Sequence, residues 1–121
     1  MTATILIIDD EPLVRDALTH ILEAAGYAVV EAWDGESALA AAPRATAALA
    51  DLVLSADDGL AVIETLHNRF PGLPMAAMTG SNVPGTNPLD RALEAGARRT
   101  LAKPFETETV LAVLAELVKA A

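Results

Sequence analysis

The stretch Ile5-Leu6-Ile7-Ile8-Asp9-Asp10-Glu11-Pro12 decides the fold of this chain. Its first four residues are an unbroken aliphatic run, mostly β-branched, which is typical of a parallel strand covered on both faces. The run stops at three acids and a proline, so the sequence predicts a buried strand that delivers carboxylates to one edge of a sheet. Two adjacent carboxylates repel each other, and holding Asp9 and Asp10 together there favours a cation nearby. The alternative is that Asp9 or Asp10 caps the helix that follows.

The composition predicts one α/β domain over residues 1–121 with an aliphatic core. Hydrophobic residues make up 53% of the chain, whereas aromatic residues make up 3%. The net charge of −9 works against direct binding to nucleic acid or to an anionic membrane surface. The absence of cysteine excludes thiol catalysis and cysteine-ligated metals. No run approaches the roughly 18 apolar residues of a membrane span, so a soluble cytoplasmic protein is expected.

Strand and helix patterns alternate five times, which predicts right-handed crossovers and a five-stranded parallel sheet with helices on both faces. The predicted strands cover residues 5–8, 27–32, 49–54, 74–78 and 100–102. Gly26 stands where the first helix needs a left-handed C-terminal cap. Asp58 is predicted to cap the third helix, and Thr107 the last one. Residues 81–88, rich in Gly, Pro and Asn, are predicted to form an exposed mobile loop.

Polar residues follow each predicted strand, at the sheet edge where sites in parallel sheets lie. These strand ends carry Asp9-Asp10-Glu11, Trp33-Asp34, Ser55-Ala56-Asp57, Thr79-Gly80 and Lys103-Pro104. A carboxylate beside a hard divalent cation can attack phosphorus to form an acyl phosphate, while a lysine and a hydroxyl stabilise charge on the phosphoryl oxygens. Mg²⁺ suits such a site, because it takes few carboxylates and keeps several waters.

From its first strand to its last helix, the chain resembles the receiver domains of two-component response regulators. The resemblance rests on Ile5-Leu6-Ile7-Ile8-Asp9-Asp10-Glu11, Asp51-Leu52-Val53-Leu54, Asp58-Gly59-Leu60, Met78-Thr79, Ala95-Gly96-Ala97 and Lys103-Pro104-Phe105, in that order. It implies a doubly wound, flavodoxin-like sheet of order 2-1-3-4-5 and a cis bond before Pro104. It also implies Mg²⁺ near Asp9 and Asp10, with Thr79 and Lys103 contacting an aspartyl phosphate. The implied partners are a histidine kinase or phosphotransfer protein and a downstream protein target.

Two positions depart from the family pattern. The third strand is predicted to end at residue 54, so Ala56 falls where the phosphoacceptor aspartate is expected, and about six residues of the following loop are missing. Asp57 is then the best candidate acceptor, although the alternation of strand side chains would turn it away from Asp10 and Lys103. Slow or no modification of Asp57 by acetyl phosphate is therefore predicted, together with weak Mg²⁺ binding. Thr100 stands where the family usually has a Tyr or Phe that rotates on activation.

Three functions are compatible with this pattern. The first is a receiver that accepts phosphate on Asp57 and signals through a protein partner, which is not a turnover enzyme. The second is a pseudo-receiver that keeps the fold as a phosphorylation-independent interaction module. The third is a small Mg²⁺-dependent phosphohydrolase, for which no separate substrate pocket or general acid can be identified. Because Thr100 has no ring to move, coupling to a partner is predicted to run through Thr79 and the loop at residues 81–88.

Overall fold

The chain folds around a five-stranded sheet, which the computed structural model describes over residues 2–80 and 88–121. The strands are β1 (Thr4–Ile8), β2 (Ala28–Ala32), β3 (Ala47–Asp51), β4 (Met75–Thr79) and β5 (Arg99–Ala102). Their spatial order is β2-β1-β3-β4-β5, and every neighbouring pair is parallel. The predicted fold class and strand order are therefore confirmed. The predicted loop at residues 81–88 lies outside the described residues, apart from its last residue.

Helices cover both faces of the sheet. They are α1 (Pro12–Ala24), α2 (Gly35–Ala41), α3 (Gly59–Arg69), α4 (Pro88–Ala95) and α5 (Thr107–Ala120), with a short 3-10 helix at Ala42–Arg44. Residues of α1 and α5 belong to one hydrophobic cluster, and residues of α2, α3 and α4 belong to the other. None of the helices in the described residues is long and apolar enough to span a membrane.

β1 lies inside the sheet, between β2 and β3, and its side chains fill both hydrophobic clusters. Ile5 and Ile7 pack with α1 and α5, whereas Leu6 and Ile8 pack with the helices of the opposite face. All four are fully buried. The alternation of strand side chains thus explains why an unbroken aliphatic run was needed here, and it places the residue after Ile8 at the buried end of a central strand.

Two of the three predicted helix caps are confirmed. Gly26 follows α1 with a φ of +95°, a conformation that favours glycine. The Asp58 carboxylate accepts a hydrogen bond of 3.0 Å from the Leu60 amide at the start of α3. The prediction for Thr107 is wrong, because the first helical hydrogen bond of α5 is accepted by the carbonyl of Glu106, which makes Thr107 the first helical residue.

β3 ends at Asp51, so the predicted third strand at residues 49–54 is wrong. β3 lies between β1 and β4 and starts at Ala47, which stands opposite Ile5. From the sequence alone, the alanines at the start of β3 could equally belong to a loop or a helix. In a strand with a neighbour on each side, the pairing partners set the limits of the strand, and local apolar character does not.

The apolar residues after β3 belong to a loop. Leu52 and Leu54 are buried in the hydrophobic core without being part of a sheet strand, and this burial explains the apolar run that suggested a longer strand. Residues 52–58 connect β3 to α3. The loop that was predicted to be missing is therefore present, and Ala56 is one of its residues.

Candidate functional site

The carboxyl ends of β1, β3 and β5 bring two buried acids and one lysine together. Asp9 follows β1, Asp51 ends β3 and Lys103 follows β5. The Lys103 Nζ atom lies 2.9 Å from Asp9 Oδ2 and 2.9 Å from Asp51 Oδ2. Asp9 has no exposed surface and Asp51 is 4% exposed. The lysine therefore bridges two carboxylates that water hardly reaches.

Each of these two carboxylates also binds the backbone that follows it. Asp9 Oδ1 accepts a hydrogen bond of 2.9 Å from the Glu11 amide. Asp51 Oδ1 accepts one of 2.9 Å from the Val53 amide. Such a bond from a side chain to the amide two residues on turns the chain out of the strand. The same type of hydrogen bond, from a backbone amide to the aspartate two residues before it, therefore ends β1 and β3. The second oxygen of each aspartate then contacts Lys103.

Burial and the ion pairs act in opposite directions on the pKa values here. Burial raises the pKa of the Asp51 carboxyl above its ordinary value of 3.8, because desolvation outweighs the hydrogen bonds from Val53 and Lys103. Burial alone would lower the pKa of Lys103, but its hydrogen bonds to Asp51 and Asp9 outweigh that effect and raise the pKa. Lys103 therefore stays charged, whereas desolvation destabilises the charged form of Asp51.

The raised pKa of Asp51 predicts that Asp51→Asn increases thermal stability at neutral pH in the absence of divalent cations. The folded state binds this proton more tightly than the unfolded state, whose pKa is near 3.8. The stability that the proton contributes is full below that value and is lost as the pH rises through the folded-state pKa. Asparagine has no charged form. Melting followed by circular dichroism in EDTA should show a gain that is largest near neutral pH and shrinks towards pH 3.8; a gain independent of pH would contradict this account.

Asp10 lies beside the pair and is only partly buried. Its Oδ2 atom accepts a hydrogen bond of 2.7 Å from the Ser55 amide and a second, short one from the Ser55 hydroxyl. The Ser55 hydroxyl lowers the pKa of Asp10 below its ordinary value, because it stabilises the charged form. The capping alternative for Asp9 and Asp10 does not hold, because Glu11 is the N-cap residue of α1 and no side-chain hydrogen bond caps that end.

Four acids form a group that could hold a metal ion. One carboxylate oxygen each from Asp9, Asp10, Glu11 and Asp51 lies within 4.8 Å of the others. Oxygen donors in a partly hydrated setting fit a hard divalent cation such as Mg²⁺. Asp9 and Asp10, the two predicted metal ligands, both belong to this group. Asp51 was not among the predicted metal ligands.

Thr79 lies at the end of β4, next to Lys103. It is 6% exposed, it stands opposite Ala102 in the sheet, and its carbonyl accepts a hydrogen bond of 2.7 Å from the Lys103 amide. The Lys103–Pro104 peptide bond is cis, as the resemblance implied. Thr79 and Lys103 therefore stand side by side, as predicted from their strand ends. Thr100 lies in β5 and is partly buried.

Asp57 stands apart from this cluster. Its Oδ2 atom accepts a hydrogen bond of 2.8 Å from the Gly35 amide at the start of α2. Among the described residues it takes part in neither the ion pairs of Lys103 nor the four-acid group. Its carboxylate anchors the loop of residues 52–58 to α2. The sequence did contain a signal for Asp51. In the motif Asp51-Leu52-Val53-Leu54 this aspartate is separated from Asp58-Gly59 by residues 52–57, which correspond to the loop that the family pattern places between the acceptor and Asp-Gly.

Arg15 links the acidic site to the tryptophan of the chain. Its Nη1 atom donates a hydrogen bond of 2.7 Å to the Asp9 carbonyl, and its Nε atom lies 3.3 Å from Glu31 Oε1. The guanidinium carbon lies 6.0 Å from the centre of the Trp33 ring. Trp33 is 53% exposed. Its fluorescence is therefore placed to report changes at the backbone of Asp9.

A doubly wound parallel sheet with buried acids and a lysine at its carboxyl edge defines a receiver-type domain. The chain belongs to the response regulator receiver domain family, whose family model matches residues 5–115. Receiver domains of this family are signalling modules that interact with histidine kinases or phosphotransfer proteins.

Two curated relatives and one solved structure illustrate the similarity. The probable transcriptional regulatory protein TcrX of Mycobacterium tuberculosis is 32% identical over 118 residues, which cover 96% of this chain and 50% of that protein. The response regulator MprA of Mycolicibacterium vanbaalenii is 34% identical over 121 residues, which cover 98% of this chain and 52% of that protein. This chain thus spans about half the length of these relatives. The CheY-like receiver domain protein of Methanospirillum hungatei superposes with a TM-score of 0.89 at 28% identity, covering 99% of this chain and 97% of that one.

Proposed function

We propose that this chain accepts a phosphoryl group on Asp51, from a histidine kinase or phosphotransfer protein, and passes the signal to a protein partner. The observation that carries the proposal is the position of the Asp51 carboxylate, which is buried at the end of a central strand and 2.9 Å from Lys103 Nζ. Asp51 thus replaces Asp57 as the proposed acceptor. Asp57 is engaged with α2 instead.

The proposed step is an in-line displacement at phosphorus. A carboxylate oxygen of Asp51 forms the new P–O bond, the P–N bond to the donor histidine breaks, and the imidazole leaves with the bonding electron pair. Lys103 and the Thr79 hydroxyl would stabilise negative charge on the transferred oxygens, since Thr79 lies at the strand end next to Lys103. The desolvation that raises the pKa of Asp51 also leaves its charged form poorly solvated, which favours attack.

We propose that Asp10 binds Mg²⁺ directly and that Asp9 supports it. Asp51 and a backbone carbonyl of the loop at residues 52–58 would supply further oxygen ligands. When bound, Mg²⁺ supplies positive charge beside the phosphoryl oxygens. The prediction of a weak site rested on two acids, whereas four acids lie together in the structure.

The metal proposal predicts that Asp10→Asn weakens Mg²⁺ binding by at least about tenfold, because one charged ligand is lost. Mg²⁺ titration followed by Trp33 fluorescence, and by chemical shifts of the amides of residues 9–11, measures the binding. Glu106→Gln is a matched control, since Glu106 is an exposed acid that follows Lys103 in the chain and lies outside the four-acid group. Equal affinities for Asp10→Asn and the wild type would reject Asp10 as a ligand.

The receiver proposal itself is tested by incubating the chain with acetyl phosphate and Mg²⁺ and recording intact mass. A mass gain of one phosphoryl group is expected. The pseudo-receiver alternative depended on a missing loop, and residues 52–58 provide that loop. Absence of any labelling would favour the interaction module, whereas continuous release of phosphate from many donor molecules per chain would favour the phosphohydrolase.

A further inference from the structure

Ser55 makes a contact that the proposed phosphoryl transfer does not by itself require. It lies in the middle of the loop at residues 52–58, 45 residues from Asp10 in sequence. Both its backbone amide and its hydroxyl donate to the same atom, Asp10 Oδ2. One loop residue thus uses its two donors to hold one carboxylate oxygen of the acidic group.

Asp10 differs from the other two aspartates in how it is held. Asp9 and Asp51 are buried and are fixed by Lys103 and by the amides that follow them. Asp10 is partly exposed, and burial does little to restrict rotation of its carboxylate. The two hydrogen bonds from Ser55 therefore orient the Asp10 carboxylate, whereas burial and Lys103 orient the carboxylates of Asp9 and Asp51. Hydrogen bonds of this kind to a ligating carboxylate set its direction towards the metal.

The loop that carries Ser55 is anchored at both ends. At its start, the Val53 amide donates to Asp51. At its end, Asp57 accepts from the Gly35 amide of α2, and Asp58 caps α3. An exposed serine hydroxyl would ordinarily exchange its partner with water. The two anchors hold the serine within reach of Asp10 and lower the entropic cost of that contact.

We infer that Ser55 is a positioning residue that holds the Asp10 carboxylate in its metal-binding orientation. This inference rests on the proposed function, in which the acidic group binds Mg²⁺. It assigns to the β3–α3 loop a contribution to metal affinity through a side chain, in addition to any backbone ligand. Residues of the loop that do not touch Asp10 should not share this contribution.

The test is Mg²⁺ titration of the full chain carrying Ser55→Ala, Ser55→Thr or Ser55→Pro, followed by Trp33 fluorescence. Ser55→Ala loses the hydroxyl bond and should bind Mg²⁺ about tenfold more weakly. Ser55→Thr keeps both donors and should restore the wild-type affinity. Ser55→Pro has neither a hydroxyl nor an amide hydrogen, so its affinity should fall further. Circular dichroism confirms folding, and Ser55→Ala carries the conclusion if the proline variant does not fold.

Asp57→Asn is the matched control. Asparagine keeps an oxygen that can accept from the Gly35 amide, so the loop stays anchored, and Asp57 does not touch Asp10; this variant should therefore leave Mg²⁺ affinity near that of the wild type. An equal loss in Asp57→Asn would overturn the inference, because a loop change that leaves the bonds from Ser55 to Asp10 in place would then lower the affinity as much as their removal does. Unchanged binding in Ser55→Ala would overturn it as well. Tighter binding would do the same, since it would show that Ser55 competes with the metal.

Phosphorylation provides a second readout that a purely structural role would not move. Ser55→Ala should raise the Mg²⁺ concentration needed for half-maximal labelling by acetyl phosphate, yet label at the wild-type rate once Mg²⁺ is saturating. The two proposals fail in different ways. If the wild type itself shows no Mg²⁺ response that depends on Asp10, the metal proposal fails and the role of Ser55 fails with it. If the wild type responds and Ser55→Ala matches it, the role of Ser55 alone fails.

Discussion

Asp51→Asn should abolish labelling of this chain by acetyl phosphate, whereas Asp57→Asn should be labelled at close to the wild-type rate. The reason is geometric, because in-line attack tolerates little misplacement of the nucleophile. The Asp51 carboxylate lies 2.9 Å from Lys103 Nζ and within the four-acid group. Asp57 lies near the α3 end of the loop at residues 52–58, and its carboxylate accepts a hydrogen bond from the Gly35 amide of α2. Intact mass spectrometry after incubation with donor and Mg²⁺ measures the difference.

The two asparagine variants control for each other. Asparagine at position 51 keeps an oxygen that can accept from the Val53 amide, so the end of β3 should be preserved. Asparagine at position 57 likewise keeps an acceptor for the Gly35 amide. Loss of labelling therefore reports the missing nucleophile and not a displaced loop. Labelling that survives in Asp51→Asn and disappears in Asp57→Asn would reverse the assignment of the acceptor.

Lys103→Met should lower the free energy of unfolding by about 2–3 kcal/mol in EDTA, somewhat less than for a fully buried pair because the lysine is partly exposed. The lysine is the cation shared by Asp9 and Asp51, and its removal leaves two buried carboxylates facing each other. Urea denaturation followed by circular dichroism measures the loss. Mg²⁺ should restore part of it, because a ligand that binds the folded state stabilises that state by mass action.

A double variant identifies the cause of this loss. Asp51→Asn removes one of the two repelling charges, so adding it to Lys103→Met should recover stability, and the two changes should not be additive. Lys119→Met is the matched control, because Lys119 is an exposed lysine in the last turn of α5. A loss for Lys103→Met no larger than the few tenths of a kcal/mol typical of surface substitutions would show that the bridge contributes little.

The sequence alone was sufficient to predict an α/β fold with a parallel sheet, because the relevant signals are local, whereas the strand order was implied by the resemblance to the receiver family. The aliphatic run of β1, the alternation of strand and helix patterns and the turn glycine Gly26 each report on a short stretch of chain. They predict a parallel sheet and direct attention to its carboxyl edge. For the same reason Asp9, Asp10, Thr79 and Lys103 could be selected in advance, since each follows a recognisable strand.

The identity of the buried acid in β3 was decided by tertiary structure. Three apolar residues, 52–54, follow Asp51, and local pattern alone reads them as a continuation of the strand. Pairing with β1 and β4 ends the strand at Asp51, and the hydrogen bond from the Val53 amide turns the chain there. Apolar character shows that a residue is buried, but it does not show whether a strand or a loop buries it.

The contact between Ser55 and Asp10 illustrates the same limit. The two residues are separated by 45 positions, and no local propensity relates them. They meet because β1 and β3 are neighbours in the sheet and because the loop after β3 is anchored to α2 and α3. The sequence by itself determined which strands end in acids. The tertiary structure decided which acids share a lysine and which one is held by a serine, because these contacts depend on the pairing of distant segments.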